Sequence, residues 1–237
     1  MLSPEIEKLL RCDELANISM LGFFSRHQPL KVLQKGESVM AMGKSDENWW
    51  YLSCKSIEDF DWFIENTKAE DNFIATIDDQ LLERVHERFT CRWTLSCQRF
   101  YLPNNIEVPA PALEVSSISP ADAEHIYTNS NYQTYISVPY IKEQIEQGPG
   151  IAYHYNDKLV GWVLTHDDGA MGMLHVLDDF RRKGIAKALV VDLIRKIREA
   201  GRLPFTYVEP SNCASFELIN GLGFVPDRAI HWVNLNR

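Results

Sequence analysis

The stretch LHVLDDFRRKGIA, residues 174–186, decides the fold of this chain. Its apolar first half predicts a strand, and its basic, glycine-containing second half predicts a turn that opens a helix. The first N–H groups of a helix have no partner within the helix, and they lie at the positive end of its dipole. A strand followed by such a turn and a helix therefore predicts a site for a phosphate or pyrophosphate.

Two common phosphate-binding motifs do not match the chain. A dinucleotide-binding loop needs G-x-G-x-x-G after its first strand, and no such glycine triplet occurs. A P-loop needs G-x-x-x-x-G-K-[ST]; GKS at residues 43–45 matches its end, but Ser38 stands at the first glycine position. What remains is the pattern R-x-x-G-x-A, formed by Arg181, Gly184 and Ala186.

This pattern resembles the acyl-coenzyme A loop of the GNAT superfamily of N-acetyltransferases. A second signature of that family, N-x-x-[AS]-x-x-L-[YF]-x-x-x-G-F, is matched further along the chain by Asn212, Ser215, Leu218, Gly223 and Phe224. One predicted helix and one predicted strand separate the two signatures, which is the spacing that the family fold requires.

The predicted elements of the second half follow the order of that fold. Periodicity predicts strands over 112–118, 150–155, 158–166, 170–177, 203–208 and 229–235, and helices over 120–129, 138–147, 184–200 and 213–222. In the first half it predicts helices over 2–16, 57–66 and 79–88, strands over 30–33, 38–42, 49–52 and 91–101, and an apolar segment at 73–77. The resemblance implies an α/β protein with a GNAT fold in its C-terminal half and a mixed α/β, degenerate GNAT-like N-terminal half.

A proline-rich segment separates the two halves. Residues 101–113, YLPNNIEVPAPAL, carry three prolines and two asparagines, a composition typical of a linker or an extended crossover. We therefore predict an N-terminal domain over 1–108 and a GNAT acyltransferase domain over 112–237.

The resemblance implies acetyl-CoA or another acyl-CoA as cosubstrate. Gly184 allows the backbone to approach the phosphates without a Cβ, and the basic residues of the loop supply charge. Asn212 is placed either to cap the next helix or to reach the pantetheine amides, and both roles are compatible. The implied binding residues are Leu174, Val176, Arg181, Arg182, Lys183, Gly184, Ile185, Ala186, Asn212 and Phe216.

Attack of an amine on a thioester needs a donor for the carbonyl oxygen and an acceptor for the ammonium proton. In GNAT enzymes a strand bulge turns a backbone N–H toward the thioester, and the matching amide here is that of Val176. The family's usual glutamate, eleven residues before Arg181, is Ala170 in this chain. His175 is the substitute base that we predict, and Asp168 is a second group that acts over a distance. The opposing interpretation is that His175 is a half-buried strand residue and Asp168 a turn former.

The family's tyrosine acid is also absent, because Ile219 stands at its position. We expect transfer of an acetyl or other short acyl group to a small-molecule amine or an amino acid, as in the glycine N-acyltransferase-like branch. The alternative is an acyl-CoA binding or sensing protein without turnover. The acceptor pocket is expected along residues 127–147 and the C-terminal strand, with Tyr132, Tyr135 and Tyr140 in its wall.

Composition excludes several other classes of protein. A formal net charge of -9 argues against nucleic acid as a partner. Five cysteines without a C-x-x-C spacing predict neither a disulfide framework nor a metal site. With no signal-peptide pattern and no long apolar window, we expect no membrane partner and a cytoplasmic or other reducing intracellular location.

Overall fold

The computed structural model describes residues 1–237, whose contacts divide them into two units. The first unit contains residues 1–98 and 228–237, and the second contains residues 99–227. The chain leaves the first unit within a strand at Thr90–Tyr101 and returns to it within the last strand, Val225–Asn236. The boundaries predicted for independently folding domains, 1–108 and 112–237, stay a prediction.

The first unit begins with two helices and continues through alternating elements. Its elements are α1 (Pro4–Arg11), α2 (Ile18–Phe24), β1 (Pro29–Lys35), β2 (Ser38–Lys44), β3 (Asn48–Ser53), α3 (Ile57–Glu65), β4 (Phe73–Ile77), α4 (Asp79–Arg88) and β5 (Thr90–Tyr101). The strand order is β1-β2-β3-β4-β11-β5, where β11 is the last strand, Val225–Asn236. Strands β1 to β3 are antiparallel neighbours, whereas β3 and β4 are parallel.

Helices cover both faces of the sheet in the first unit. The alternation of a strand separates the faces, so Trp50 packs with α3 and α4 while its neighbour Tyr51 packs with α1 and α2. Val233 and Leu235 of β11 are fully buried in the core that includes Trp50. The last residues of the chain therefore complete the core of the first unit.

The second unit repeats the same succession of elements after one short strand. Its elements are β6 (Ser116–Ser117), α5 (Ala123–Thr128), α6 (Val138–Gln147), β7 (Ile151–Tyr155), β8 (Lys158–Thr165), β9 (Met171–Val176), α7 (Ile185–Glu199), β10 (Phe205–Val208), α8 (Cys213–Asn220) and the start of β11. The strand order is β10-β9-β8-β7-β6. Strands β6 to β9 are antiparallel neighbours, and β10 is parallel to β9.

Two cores lie on opposite faces of the sheet in the second unit. Trp162 of β8 packs in the core with α5 and α6, and the next residue, Val163, packs in the core with α7 and α8. The predicted apolar face of α7 is confirmed, because Ile185, Leu189, Leu193 and Ile197 are all buried. Gly201, with φ +70°, follows the C-cap of α7 as predicted.

Most predicted elements are confirmed, and the hairpin turn at Asn156-Asp157 has the positive φ angles, 49° and 61°, of a type I′ turn. The strand predicted over 112–118 is wrong, since only Ser116–Ser117 pairs with a neighbour. Helix α2 was not predicted, because ISMLGFF is apolar almost throughout and shows no helical period. No helix in the structure combines the length and apolar character needed to cross a membrane.

Candidate functional site

The turn between β9 and α7 is strongly curved. After a short 3₁₀ turn at Asp178–Phe180, Arg182 and Gly184 both adopt left-handed backbone angles, with φ of +60° and +82°. Gly184 is the N-cap of α7, and a Cβ on it would meet no atom within 4 Å. The glycine is therefore required by its backbone angle, and the space beside it is open to a ligand.

The N-terminus of α7 differs from those of the other long helices. The helices α1, α3, α4, α6 and α8 each receive a side-chain hydrogen bond at the N-terminus, from Ser3, Ser56, Asp78, Ser137 and Asn212 respectively. Helix α7, at 15 residues the longest, has none. Its first N–H groups therefore keep the positive end of the longest helix dipole available to an anion.

The three basic residues of the turn are exposed, but their side chains make different contacts. The guanidinium of Arg181 folds back to β9, where Nε donates to Val176 O at 3.0 Å and NH2 pairs with Asp178 at 2.8 Å. Lys183 donates to Asp179 O at 2.8 Å. Arg182 is exposed on the left-handed turn. The predicted positive charge is thus present at the turn. The hydrogen bond from Arg181 to Val176 O also connects the turn to the end of β9.

Strand β9 carries a bulge beside this turn. Leu164 of β8 lies opposite Gly172, and Trp162 lies opposite His175, so β9 has one more residue than β8 between these pairs. The bulged residues include Met173, which has φ +52°. A bulge bends its strand and increases the local twist. On the other side of β9, the parallel pairing places Thr206 of β10 opposite Met171, at the start of β9.

The bulge sets the direction of the Val176 amide. Leu177 donates its N–H to Val160 O of β8, and Val176 lies opposite Gly161. Successive N–H groups of an antiparallel strand point to opposite edges, so the N–H of Val176 points away from β8, toward the side of β10. The carbonyl of Val176 points the same way and accepts the Arg181 hydrogen bond. This is the direction required of the predicted oxyanion donor.

His175 lies on the face of the sheet that α5 and α6 cover. Its ring stacks on Trp162 with centroids 4.8 Å apart and an interplanar angle of 19°. Burial lowers the pKa of the His175 imidazole, and the nearby Arg181 guanidinium lowers it further. The ring is therefore neutral near pH 7, and a neutral imidazole can accept a proton.

Asp168 lies in the turn between β8 and β9 and is almost fully buried. Its Oδ1 accepts the N–H of Ala170 at 2.9 Å, and its Oδ2 accepts the hydroxyl of Tyr207 at 2.7 Å. The hydrogen bond from Ala170 agrees with the interpretation of Asp168 as a turn former. The hydrogen bond from Tyr207 connects Asp168 to β10. Ala170 is itself fully buried, and as an alanine it supplies no carboxylate at this position.

Helix α8 holds the second signature. Asn212 is its N-cap, with Oδ1 accepting the N–H of Ser215 at 3.1 Å. Phe216 packs edge-to-face on Phe100, with centroids 5.2 Å apart. Ile219 is buried in the core below α7, so its position supplies apolar packing and no proton donor.

Replacement of Asn212 separates its two predicted roles. Asn212→Ala removes the cap and is expected to lower the free energy of unfolding by about 1 kcal/mol. Asn212→Ser keeps a capping oxygen and is expected to stay within about 0.5 kcal/mol of the wild type. Urea unfolding measures both changes. If the serine variant is as stable as the wild type but binds acetyl-CoA more weakly, the amide also contacts the ligand; if alanine costs nothing, the cap has no energetic role.

Two of the tyrosines predicted for the acceptor wall, Tyr132 and Tyr140, make polar contacts. The hydroxyl of Tyr140 on α6 lies 3.3 Å from His166 Nδ1 and 3.4 Å from Asp167 Oδ1. Tyr132, in the segment between α5 and α6, donates its hydroxyl to Glu209 at 2.6 Å. Two of the tyrosines predicted for the acceptor wall thus contact acidic residues.

Sequence reasoning missed Trp162, Tyr207 and Glu209. The side chains of Trp162 and Tyr207 lie near the predicted catalytic residues only through cross-strand contacts, and Glu209 reaches Tyr132 across 77 residues of chain. No local pattern signals such contacts.

The first unit has no equivalent phosphate site. Its β3–α3 connection contains no glycine, and Ser56 caps the helix by accepting the N–H of Asp59. Strands β3 and β4 pair at three successive positions, Trp49 with Phe73, Trp50 with Ile74 and Tyr51 with Ala75. Across residues 1–237, no group of three or more His, Cys, Asp and Glu side chains is placed to hold a metal ion.

A comparison with protein-family models gives one match on the part of the chain that holds this site. Residues 149–233 match the model described as FR47-like protein. The matched region contains β9, the turn and α7, and extends to β11. No curated protein sequence matches the chain.

Several solved structures resemble the chain over most of its length. The X-ray structure of a Drosophila protein has a TM-score of 0.84 at 15% identity and covers 100% of this chain and 97% of its own. A GCN5-related N-acetyltransferase from Kribbella flavida has a TM-score of 0.59 at 13% identity, covering 93% and 94%. A tandem GNAT protein from the clavulanic acid biosynthesis pathway has a TM-score of 0.53 at 14% identity, covering 92% and 87%. The chain therefore has the GNAT fold, and a tandem GNAT protein is among the structures that resemble it.

Proposed function

We propose that this protein transfers an acetyl or other short acyl group from coenzyme A to the amine of a small molecule or amino acid. One observation carries the proposal: the uncapped N-terminus of α7 and the outward-pointing N–H of Val176 lie at the two ends of one short segment, residues 176–185. The first suits a pyrophosphate, and the second suits the thioester carbonyl of the same molecule.

In this proposal the turn and α8 bind coenzyme A. The N–H groups that follow Gly184 receive the pyrophosphate, and Arg182 and Lys183 neutralise its charge. Ile185 and Ala186 form the first turn of the helix beneath it. Leu174 and Val176 line the path of the pantetheine arm along β9, and Asn212 and Phe216 of α8 lie on its other side.

The chemical step uses the residues at the end of β9. The acceptor nitrogen attacks the thioester carbonyl, the C–N bond forms, and the negative charge on oxygen is stabilised by the Val176 N–H. The nitrogen loses its proton to the neutral imidazole of His175. The C–S bond then breaks, and the coenzyme A thiolate takes a proton from water, since Ile219 offers none.

Asp168 acts at a distance in the proposal. The acceptor arrives as an ammonium ion in this proposal: its first proton passes by way of the Tyr207 hydroxyl, which donates to the Asp168 carboxylate, and its second is the one taken by His175. The contacts of Asp168 with Tyr207 and Ala170 also hold the turn that begins β9. It is therefore a positioning residue as well as a proton acceptor.

The acceptor in this proposal approaches from the face that carries His175. Tyr140 belongs to α6, which packs on that face, and its phenol suits a small molecule with an aromatic or polar body. The glycine N-acyltransferase-like branch is supported by the two-part layout, while Ala170 departs from it. The free cysteines support a reducing intracellular compartment.

Release of free thiol from acetyl-CoA tests the activity. The purified protein is mixed with acetyl-CoA and a panel of amines and amino acids, and thiol is measured against reactions without an acceptor. Acceptor-dependent thiol release with mass-spectrometric detection of the acylated amine supports the transferase.

The second candidate function is acyl-CoA binding without turnover. It is favoured by the burial of Ala170 and Ile219 at the positions where the family carries its base and acid. Acetyl-CoA binding without acceptor-dependent thiol release across the panel would support this function instead of transfer.

A further inference from the structure

The parallel strands β9 and β10 are paired at a single position, at the start of β9. There, Thr206 of β10 lies opposite Met171 of β9. Strand β10 ends at Val208, and Glu209 is the next residue. Because the pairing does not continue beyond Thr206, Glu209 lies at the unpaired end of the two strands.

Glu209 lies at the same level as His175, the proposed base. Thr165 of β8 lies opposite Met171. Trp162, three positions away on β8, lies opposite His175. The bulge of β9 takes up one residue, so His175 is three regular strand positions beyond Met171. Glu209 is also three positions beyond the residue of β10 that pairs with Met171.

The side chain of Glu209 points to the face of the sheet that also carries His175. Val208 packs in the core with α7 and α8, and successive side chains of a strand alternate, so Glu209 is directed to the opposite face. Its hydrogen bond agrees with this direction, because the hydroxyl of Tyr132, between α5 and α6, donates to Oε1 at 2.6 Å. The ring of His175 stacks on Trp162 on the same face. Glu209 and His175 therefore face the same space from neighbouring strands.

The carboxylate of Glu209 is not neutralised by a cation. The residue is half-buried, and no lysine or arginine among residues 1–237 forms an ion pair with it. Arg181 acts on His175 through its charge, but its guanidinium is held by Asp178 at 2.8 Å. The place beside His175 therefore attracts a cationic group and repels an anionic one.

We propose that Glu209 selects acceptors that carry a positively charged amine and no carboxylate next to it. The inference rests on the proposed function, and it narrows the acceptor from amines and amino acids to amines. The ammonium group of the acceptor pairs with the Glu209 carboxylate and is held beside His175 until the nitrogen is deprotonated. In an α-amino acid the carboxylate is bonded to the carbon that bears the amine. Binding would bring two carboxylates together, and their repulsion weakens it.

Three forms of one acceptor separate the effect of charge from that of size. They are 2-phenylethylamine, phenylalanine and phenylalaninamide, which share the amine and the phenyl ring. The amide has nearly the size of phenylalanine but lacks its negative charge. Thiol release from acetyl-CoA measures kcat and KM for each, and the same three forms of leucine and of lysine extend the comparison. We expect kcat/KM for the amine and the amide to exceed that for the amino acid by about tenfold or more.

A Glu209→Gln variant tests the residue itself. Glutamine keeps an oxygen that can accept the Tyr132 hydroxyl but carries no charge. KM for the amine is expected to rise about tenfold while kcat changes less, and the preference over the amino acid is expected to fall to about twofold. The control is Glu199→Gln, at an exposed glutamate that ends α7, which is expected to keep the wild-type preference.

The outcomes separate this inference from the proposed function. If the wild type uses phenylalanine as well as 2-phenylethylamine, the inference is wrong while transfer stands. If the amide is as poor an acceptor as the amino acid, size and not charge decides, and the inference is again wrong. An unchanged preference in Glu209→Gln would assign the selection to another residue and overturn the role of Glu209. If the folded wild type binds acetyl-CoA but acylates no acceptor, the proposed transfer fails and this inference fails with it.

Discussion

A Gly184→Glu variant is expected to bind acetyl-CoA at least 100-fold more weakly than the wild type. The new side chain would project into open space at the N-terminus of α7, where the pyrophosphate is proposed to lie. Its carboxylate would occupy the positive end of the helix itself and repel the phosphates. Calorimetric titration of both proteins with acetyl-CoA measures the loss.

A matched control lies at the other end of the same helix. Gly201 also has a positive φ, +70°, and a Cβ added to it would meet no atom within 4 Å. Gly201→Glu therefore carries a comparable backbone strain, about 1–2 kcal/mol, without reaching the phosphate turn. It is expected to bind acetyl-CoA like the wild type. Equal binding by the folded Gly184→Glu variant would show that the pyrophosphate does not lie at this turn.

A His175→Gln variant is expected to lose about 100-fold in kcat/KM, with a smaller change in acetyl-CoA affinity. Glutamine keeps a polar side chain of similar length beside Trp162 but cannot accept the ammonium proton. A general base typically contributes a factor of this size or more. Thiol release at subsaturating acceptor measures kcat/KM, and calorimetry measures the affinity.

The pH dependence of kcat/KM is a second test of the role of His175. Because burial lowers the pKa of His175, its imidazole loses its proton at a lower pH than an ordinary histidine does. The wild-type kcat/KM is therefore expected to rise with pH through an inflection below about 6.5, the ordinary histidine pKa, and the variant is expected to lack that inflection. The exposed His154→Gln serves as control. Retention of both the rate and the inflection in His175→Gln would assign the base to another group, with Asp168 next to be tested.

The sequence predicted the elements that hold the site because their signals are local. Residues 174–186 already contain an apolar strand, a glycine and a basic turn, and α7 shows its apolar face through Ile185, Leu189, Leu193 and Ile197. Such patterns depend on neighbours within a turn or two of the chain. The hairpin at Asn156-Asp157 was predictable for the same reason.

Tertiary structure decided the features that depend on partners distant in the chain. The bulge at Met173 is defined only by its register with β8, and the direction of the Val176 N–H follows from that register. The lowered pKa of His175 arises from burial and from the Arg181 side chain folding back on β9. Likewise, no local pattern shows that Val233 and Leu235, near the end of the chain, are buried in the core of the first unit. The sequence by itself therefore determined which helices, strands and turns surround the candidate site, because helix, strand and turn preferences are local. The chemical state of the site depends on packing between segments far apart in the chain, and only the folded structure decides that packing.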